Sequence, residues 1–129
     1  MALTDARAFE GIWQLLPERC EYEHELPPRS GTYKIAGTPE GLAFTLDWIS
    51  SAGAVEHTEF RLRWEDESPI SLELVDARTL NTAVERDEIV IAHATRKLSE
   101  DGNELEVVQR GFTSSGKPFV NTARYRRQG

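Results

Sequence analysis

From Gly31 onward, large apolar residues recur at every second position, and the 3.6-residue spacing of an amphipathic helix is absent. A chain patterned this way folds as β-strands with one buried face, because successive strand side chains point to opposite sides. Turn residues return about every 8 to 12 positions, the rhythm of a meander or sandwich.

The clearest strand covers residues 42–49, where Leu42, Phe44, Leu46 and Trp48 alternate with Ala43, Thr45, Asp47 and Ile49. After a turn at residues 51–54, Thr58, Phe60, Leu62 and Trp64 alternate with His57, Glu59, Arg61 and Arg63. This pair predicts a hairpin with one apolar and one charged face. Beyond the loop 66–69 come Ile70, Leu72 and Leu74, a turn at 76–79, then Leu80, Thr82 and Val84. Asp87 and Glu88 turn the chain into Ile89, Ile91, His93 and Thr95, which are expected to share the inner face. Residues 99–103 form a hairpin loop in which Gly102 supplies the positive φ. Leu105, Val107 and Gln109 continue the inner set, and residues 114–117 reverse the chain into Phe119, Asn121, Ala123 and Tyr125.

With residues 11–16 and 29–35 added, the chain has about nine or ten short strands joined by short connections. An open twisted sheet of that size would leave edges and an uncovered face, so closure into an up-and-down antiparallel β-barrel is the expected fold. The first strand (11–16) and the last (118–127) would meet. A β-sandwich is the rival, but it calls for longer Greek-key crossovers than this sequence offers. Residues 4–9, with Thr4 or Asp5 as cap, are the one helical candidate and could plug one mouth. At 129 residues, the whole of 1–129 reads as a single domain.

Acidic residues outnumber basic ones, 22 to 15, for a net charge of −7, which argues against nucleic acid or an anionic membrane surface as partner. Arg124, Arg126 and Arg127 make too narrow a basic patch to change that. No stretch approaches the ~20 apolar residues of a membrane span or carries a secretory apolar run, and the expected location is cytoplasmic. The one cysteine, Cys20, has no disulfide partner and no zinc-like spacing, and the flanking Glu18 and Glu21 oppose activation of its thiol. Nucleophile-elbow, P-loop and zinc-protease motifs are missing, and neither Glu21-Tyr-Glu-His-Glu25 nor residues 99–103 has the spacing of a metal site. No metal or cofactor is expected.

The segment Phe9-Glu-Gly-Ile-Trp13 resembles the start of the calycins, the superfamily of lipocalins and fatty-acid-binding proteins, whose first strand carries Gly-x-Trp. A longer run of features resembles bacterial lipocalin-like domains of uncharacterised function: Gly11-Ile-Trp13, Leu16-Pro-Glu-Arg-Cys20, Leu26-Pro-Pro-Arg29, the hairpin at 98–105, and Gly116-Lys-Pro-Phe-Val-Asn121 with Tyr125-Arg-Arg127. The resemblance implies a lipocalin-like barrel in which the first-strand tryptophan seals the closed end under a basic residue of the last strand. Trp13 and either Arg126 or Arg127 match those structural roles, and a cation–π contact supplies the physical reason.

The remaining inward positions mix large apolar groups with a few polar ones, the composition of a small-molecule pocket. Candidate ligand-binding residues are Tyr33, Phe44, Leu46, Trp48, Thr58, Phe60, Leu62, His93, Gln109, Asn121 and Tyr125. His93, Gln109 and Asn121 fall on consecutive strands and could be cross-strand neighbours. A general base at His93 would need an inward carboxylate to orient it, and none is evident, so no catalytic residue is assigned. The expected function is non-enzymatic binding of a small hydrophobic or amphiphilic molecule inside the barrel, as carrier or sensor. An isomerase, cyclase or hydrolase using the same cavity is one alternative. A barrel packed solid and acting as a protein-interaction module is the other; an exposed barrel face could also support a homodimer.

Overall fold

The computed structural model describes residues 6–66 and 69–128. Nine strands make one antiparallel sheet: β1 (Gly11–Leu15), β2 (Ser30–Gly37), β3 (Gly41–Ile49), β4 (Val55–Arg63), β5 (Ile70–Asp76), β6 (Thr79–Arg86), β7 (Ile89–Leu98), β8 (Glu104–Phe112) and β9 (Pro118–Arg127). Their order is β4-β3-β2-β1-β9-β8-β7-β6-β5, so the meander closes through β1 and β9 into a nearly complete barrel, as the alternation predicts. Trp13 stands opposite Arg127, and Leu15 opposite Tyr125. The register sets inward residues against inward residues: Ile35 pairs with Phe44, Phe44 with Phe60, and Leu42 with Leu62. A slip of one residue would turn each apolar set to solvent.

A 3-10 turn at Arg7–Phe9 precedes β1 and occupies the closed end. The Thr4 and Asp5 cap positions lie outside the described residues. Phe9 and Trp13 are fully buried there, and Trp13 Nε1 donates to the Phe9 carbonyl at 2.9 Å. Arg127 lies over the Trp13 ring, its Cζ 4.2 Å from the centroid, and donates to the carbonyls of Glu10, Ala8 and Gly102. Gly11 makes room for this, since a Cβ on it would stand 2.7 Å from Arg127 Nη1. Arg126 is exposed, so of the two arginines Arg127 is the one across Trp13. Leu42, Ile35, Phe44, Leu80 and Leu105 are among the fully buried core residues, each such side chain contributing about 1.5–3 kcal/mol.

Strand β7 departs from expectation. Asp87 and Glu88 both take positive φ, 53° and 67°, as a two-residue type I′ hairpin loop requires. Glu85 then pairs with Val90, but Val84 pairs with Ala92, so Ile91 is an extra residue in a β-bulge. One inserted residue exchanges the faces of everything after it. Ala94 and Arg96 point inward, Leu98 meets Leu105, and His93 sits opposite Ala83 and Arg110 on the outer face. Of the expected inward set Ile89, Ile91, His93 and Thr95, Ile91 is the bulge residue, His93 and Thr95 face outward, and Ile89, before the bulge, is exposed beside the hairpin loop; after the bulge the inner face carries Ala92, Ala94, Arg96 and Leu98.

The barrel has one seam. Eight antiparallel steps separate β4 from β5, so these two edges run in the same direction, and they share no ladder. A parallel neighbour needs a crossover of roughly a dozen residues or more. Only six, residues 64–69, are available, and Asp66 N already turns back onto the Arg63 carbonyl. The end of β4 is covered, with Leu62 buried among the same core residues as Leu72 and Leu74. Its first seven residues are all exposed.

Candidate functional site

The half of the barrel away from Trp13 encloses a cavity of about 490 Å³. That is within the range of small-molecule sites, roughly 300–1,000 Å³. Tyr33 on β2, Leu46 and Trp48 on β3, Thr58 and Phe60 on β4, Gln109 on β8, and Asn121 and Tyr125 on β9 all line it. The alternation brings these eight sequence candidates together. Phe44 and Leu62 are packed in the core behind the cavity, and His93, on the outer face, does not line it.

Two parts of the wall were not anticipated. The segment between β1 and β2 folds over the mouth, where Tyr22, Glu25, Leu26 and Pro28 reach the cavity. It is held to β9 by a Glu21–Thr122 bridge, and Asn121 Oδ1 accepts from Glu23 N at 3.1 Å. Asn121 thereby anchors the loop with its oxygen and keeps its NH₂ group for other partners. Gln109 pairs with Asn121 across β8 and β9 and lines the cavity beside it.

The second is Arg96, 5% exposed, on the wall of the cavity. Its Nε donates to the Tyr33 hydroxyl at 2.7 Å and its Nη1 to Thr82 Oγ1 at 3.0 Å. Its Cζ lies 5.0 Å from the Phe44 ring centroid and 5.9 Å from that of Tyr33. Among the described residues no carboxylate forms an ion pair with it. A guanidinium has five N–H donors, and two are engaged here.

The surrounding phenols remain neutral. Burial pushes the Tyr33 hydroxyl above its ordinary range, with Arg96 opposing in part, and burial raises Tyr125 likewise. Tyr22 is pushed up to about 12, again chiefly by burial. Tyr33 thus accepts from Arg96 and retains a proton to donate. Its ring lies 6.1 Å from Phe44 and 5.5 Å from Tyr125, so the cation sits in an aromatic wall. Arg96 and Tyr33 together present hydrogen-bond donors and a positive charge to a cavity whose lining mixes apolar side chains with polar ones, the carboxylates of Glu25 and Asp47 among them.

The architecture is a nearly closed antiparallel β-barrel with a fatty-acid-binding-protein-like fold. No protein-family model and no curated protein matches the chain in sequence. Among solved structures, it is similar to the zebrafish ileal bile acid-binding protein complexed with cholic acid, with a TM-score of 0.56 and 13% identity over 94% of this chain and 99% of that one. It is also similar to a de novo designed fluorescence-activating β-barrel, with a TM-score of 0.50 and 19% identity over 98% of this chain and 99% of the other. These likenesses establish the fold. Among the described residues, no helix is long and apolar enough to cross a membrane.

Proposed function

We propose that the barrel binds a small amphiphilic molecule with an anionic head, as a carrier or sensor, without catalysis. The observation that carries this reading is Arg96, a buried arginine on the wall of a 490 Å³ cavity with no ion-pair partner among the described residues. Burying a charge costs several kcal/mol unless an opposite charge and good hydrogen bonds offset it. A carboxylate seated against Arg96 would supply both, by charge-assisted bonds to the free guanidinium donors and to the Tyr33 hydroxyl. Leu46, Trp48 and Phe60 would take the apolar part, with Gln109 and Asn121 available to a second polar group. The zebrafish barrel of the same fold is complexed with cholic acid, itself an amphiphilic carboxylic acid. A cavity of this size favours a ligand inside the barrel over a solid interaction module.

The test is calorimetric titration with palmitate and cholate, for the native chain and for Arg96→Met. Hydrogen bonds to a charged group are worth about 1.5–3 kcal/mol, so Arg96→Met should weaken binding about 10- to 140-fold. Tyr33→Phe should weaken it less. Equal affinity in Arg96→Met, or a neutral lipid found by native mass spectrometry on protein from its own host, would overturn the anionic-head reading.

A further inference from the structure

Phe60 lies between the seam and the residues that hold Arg96. Phe44 and Phe60 are direct cross-strand partners with rings stacked 4.9 Å apart, yet Phe44 is 1% exposed and Phe60 36%. Phe60 stands on β4, the strand that borders the seam, and Phe44 one strand further in, and their exposures follow that order. Thr58, one pleat nearer the mouth, is likewise exposed while lining the cavity. From the seam inward, one contact series runs Phe60, Phe44, Arg96 and Tyr33.

We infer that the seam between β4 and β5 is a side entrance to the cavity and that Phe60 is its gate. This rests on the amphiphile-binding reading above. A single-chain acid suits the route: its tail slides over Phe60 while the head moves to Arg96, and a tail longer than the cavity can remain in the seam. The outer face of β4 carries His57, Glu59, Arg61 and Arg63, the charged edge that discourages addition of another strand. The seam is thus kept free of strand pairing.

The experiment is stopped-flow binding of palmitate to the native chain, Phe60→Ala, Phe60→Trp and, at the mouth, Leu26→Trp. Lids and gates act on rates more than on equilibria, so Phe60→Ala should speed both association and dissociation, by about fivefold, with a smaller change in Kd. Phe60→Trp should slow both. Circular dichroism confirms that each variant is folded, and the two Phe60 substitutions must act in opposite directions, which a general loosening of the barrel would not produce. Rates that respond to Leu26→Trp and ignore both Phe60 variants overturn the side entrance. If palmitate binds in an Arg96-dependent way with rates indifferent to Phe60, only the entrance fails. If neither palmitate nor cholate binds, the functional reading fails and takes the entrance with it.

Discussion

Arg96 and His93 occupy the same strand three residues apart, and the site depends on which of them faces inward. In the folded chain Arg96 is inside, at the cost of desolvating a guanidinium held by two neutral acceptors, the hydroxyls of Tyr33 and Thr82. Buried charges of this kind are often worth less to stability than a well-packed apolar replacement. Arg96→Met should therefore raise the Tm of the ligand-free protein by a few degrees, while weakening the binding described above. A thermal melt beside the calorimetry checks both halves. A lowered Tm with unchanged affinity would mean that Arg96 only braces the barrel wall. In the sequence this residue was hidden because an arginine among Thr95 and Lys97 reads as surface. The available signal was symmetry about the 99–103 hairpin: Leu98 faces Leu105, and Arg96 follows at the next inward position.

At the scale of elements, the alternation in β2, β3, β4, β8 and β9 was legible, because one residue type at every second position leaves a single register. β7 was not, since a bulge at Ile91 is an event of the β6–β7 pairing, and Ile89 and Ile91 continue the apolar rhythm regardless. The loop over the mouth was equally opaque, being fixed by backbone bonds to Asn121 and Thr122 rather than by any local pattern. The closure of β1 on β9 was legible through Trp13, but the choice between two adjacent arginines was not. It follows from strand parity: Arg127 shares the contact with Trp13, and Arg126 faces away. Arg127→Ala would orphan three backbone carbonyls and uncover the Trp13 ring, and should cost about 2–4 kcal/mol, whereas Arg126→Ala should stay within about 0.5 kcal/mol. Urea midpoints of the two variants measure the contrast. Equal values would mean that the closed end is held by Phe9 and Trp13 alone.

The described residues form a barrel with an odd number of strands, and the seam, the cavity and the buried aromatic wall are parts of one arrangement. The strand count was close to legible in the sequence, but its parity was not, and parity is what leaves β4 and β5 parallel and unpaired. All three tyrosines of the chain, Tyr22, Tyr33 and Tyr125, lie along the cavity, and burial raises the pKa of each. In the unfolded chain they would lose their protons near pH 10. Between that point and the raised folded values, the unfolded state sheds protons that the native state keeps, so native stability is fully present below about pH 10 and falls as pH rises above it. Tyr33 and Tyr125, the most deeply buried, should together give a slope of about 3 kcal/mol per pH unit in that window. The expected result is an ultraviolet phenolate titration with no ordinary phase near pH 10. All three phenolates should instead emerge in one steep step, coincident with the loss of β-structure by circular dichroism. A phenol titrating near pH 10 in folded protein would show that water reaches the cavity wall freely. Adding an anionic amphiphile should then move the step to higher pH if the ligand occupies the space beside Tyr33, since ligand binding stabilises only the folded barrel.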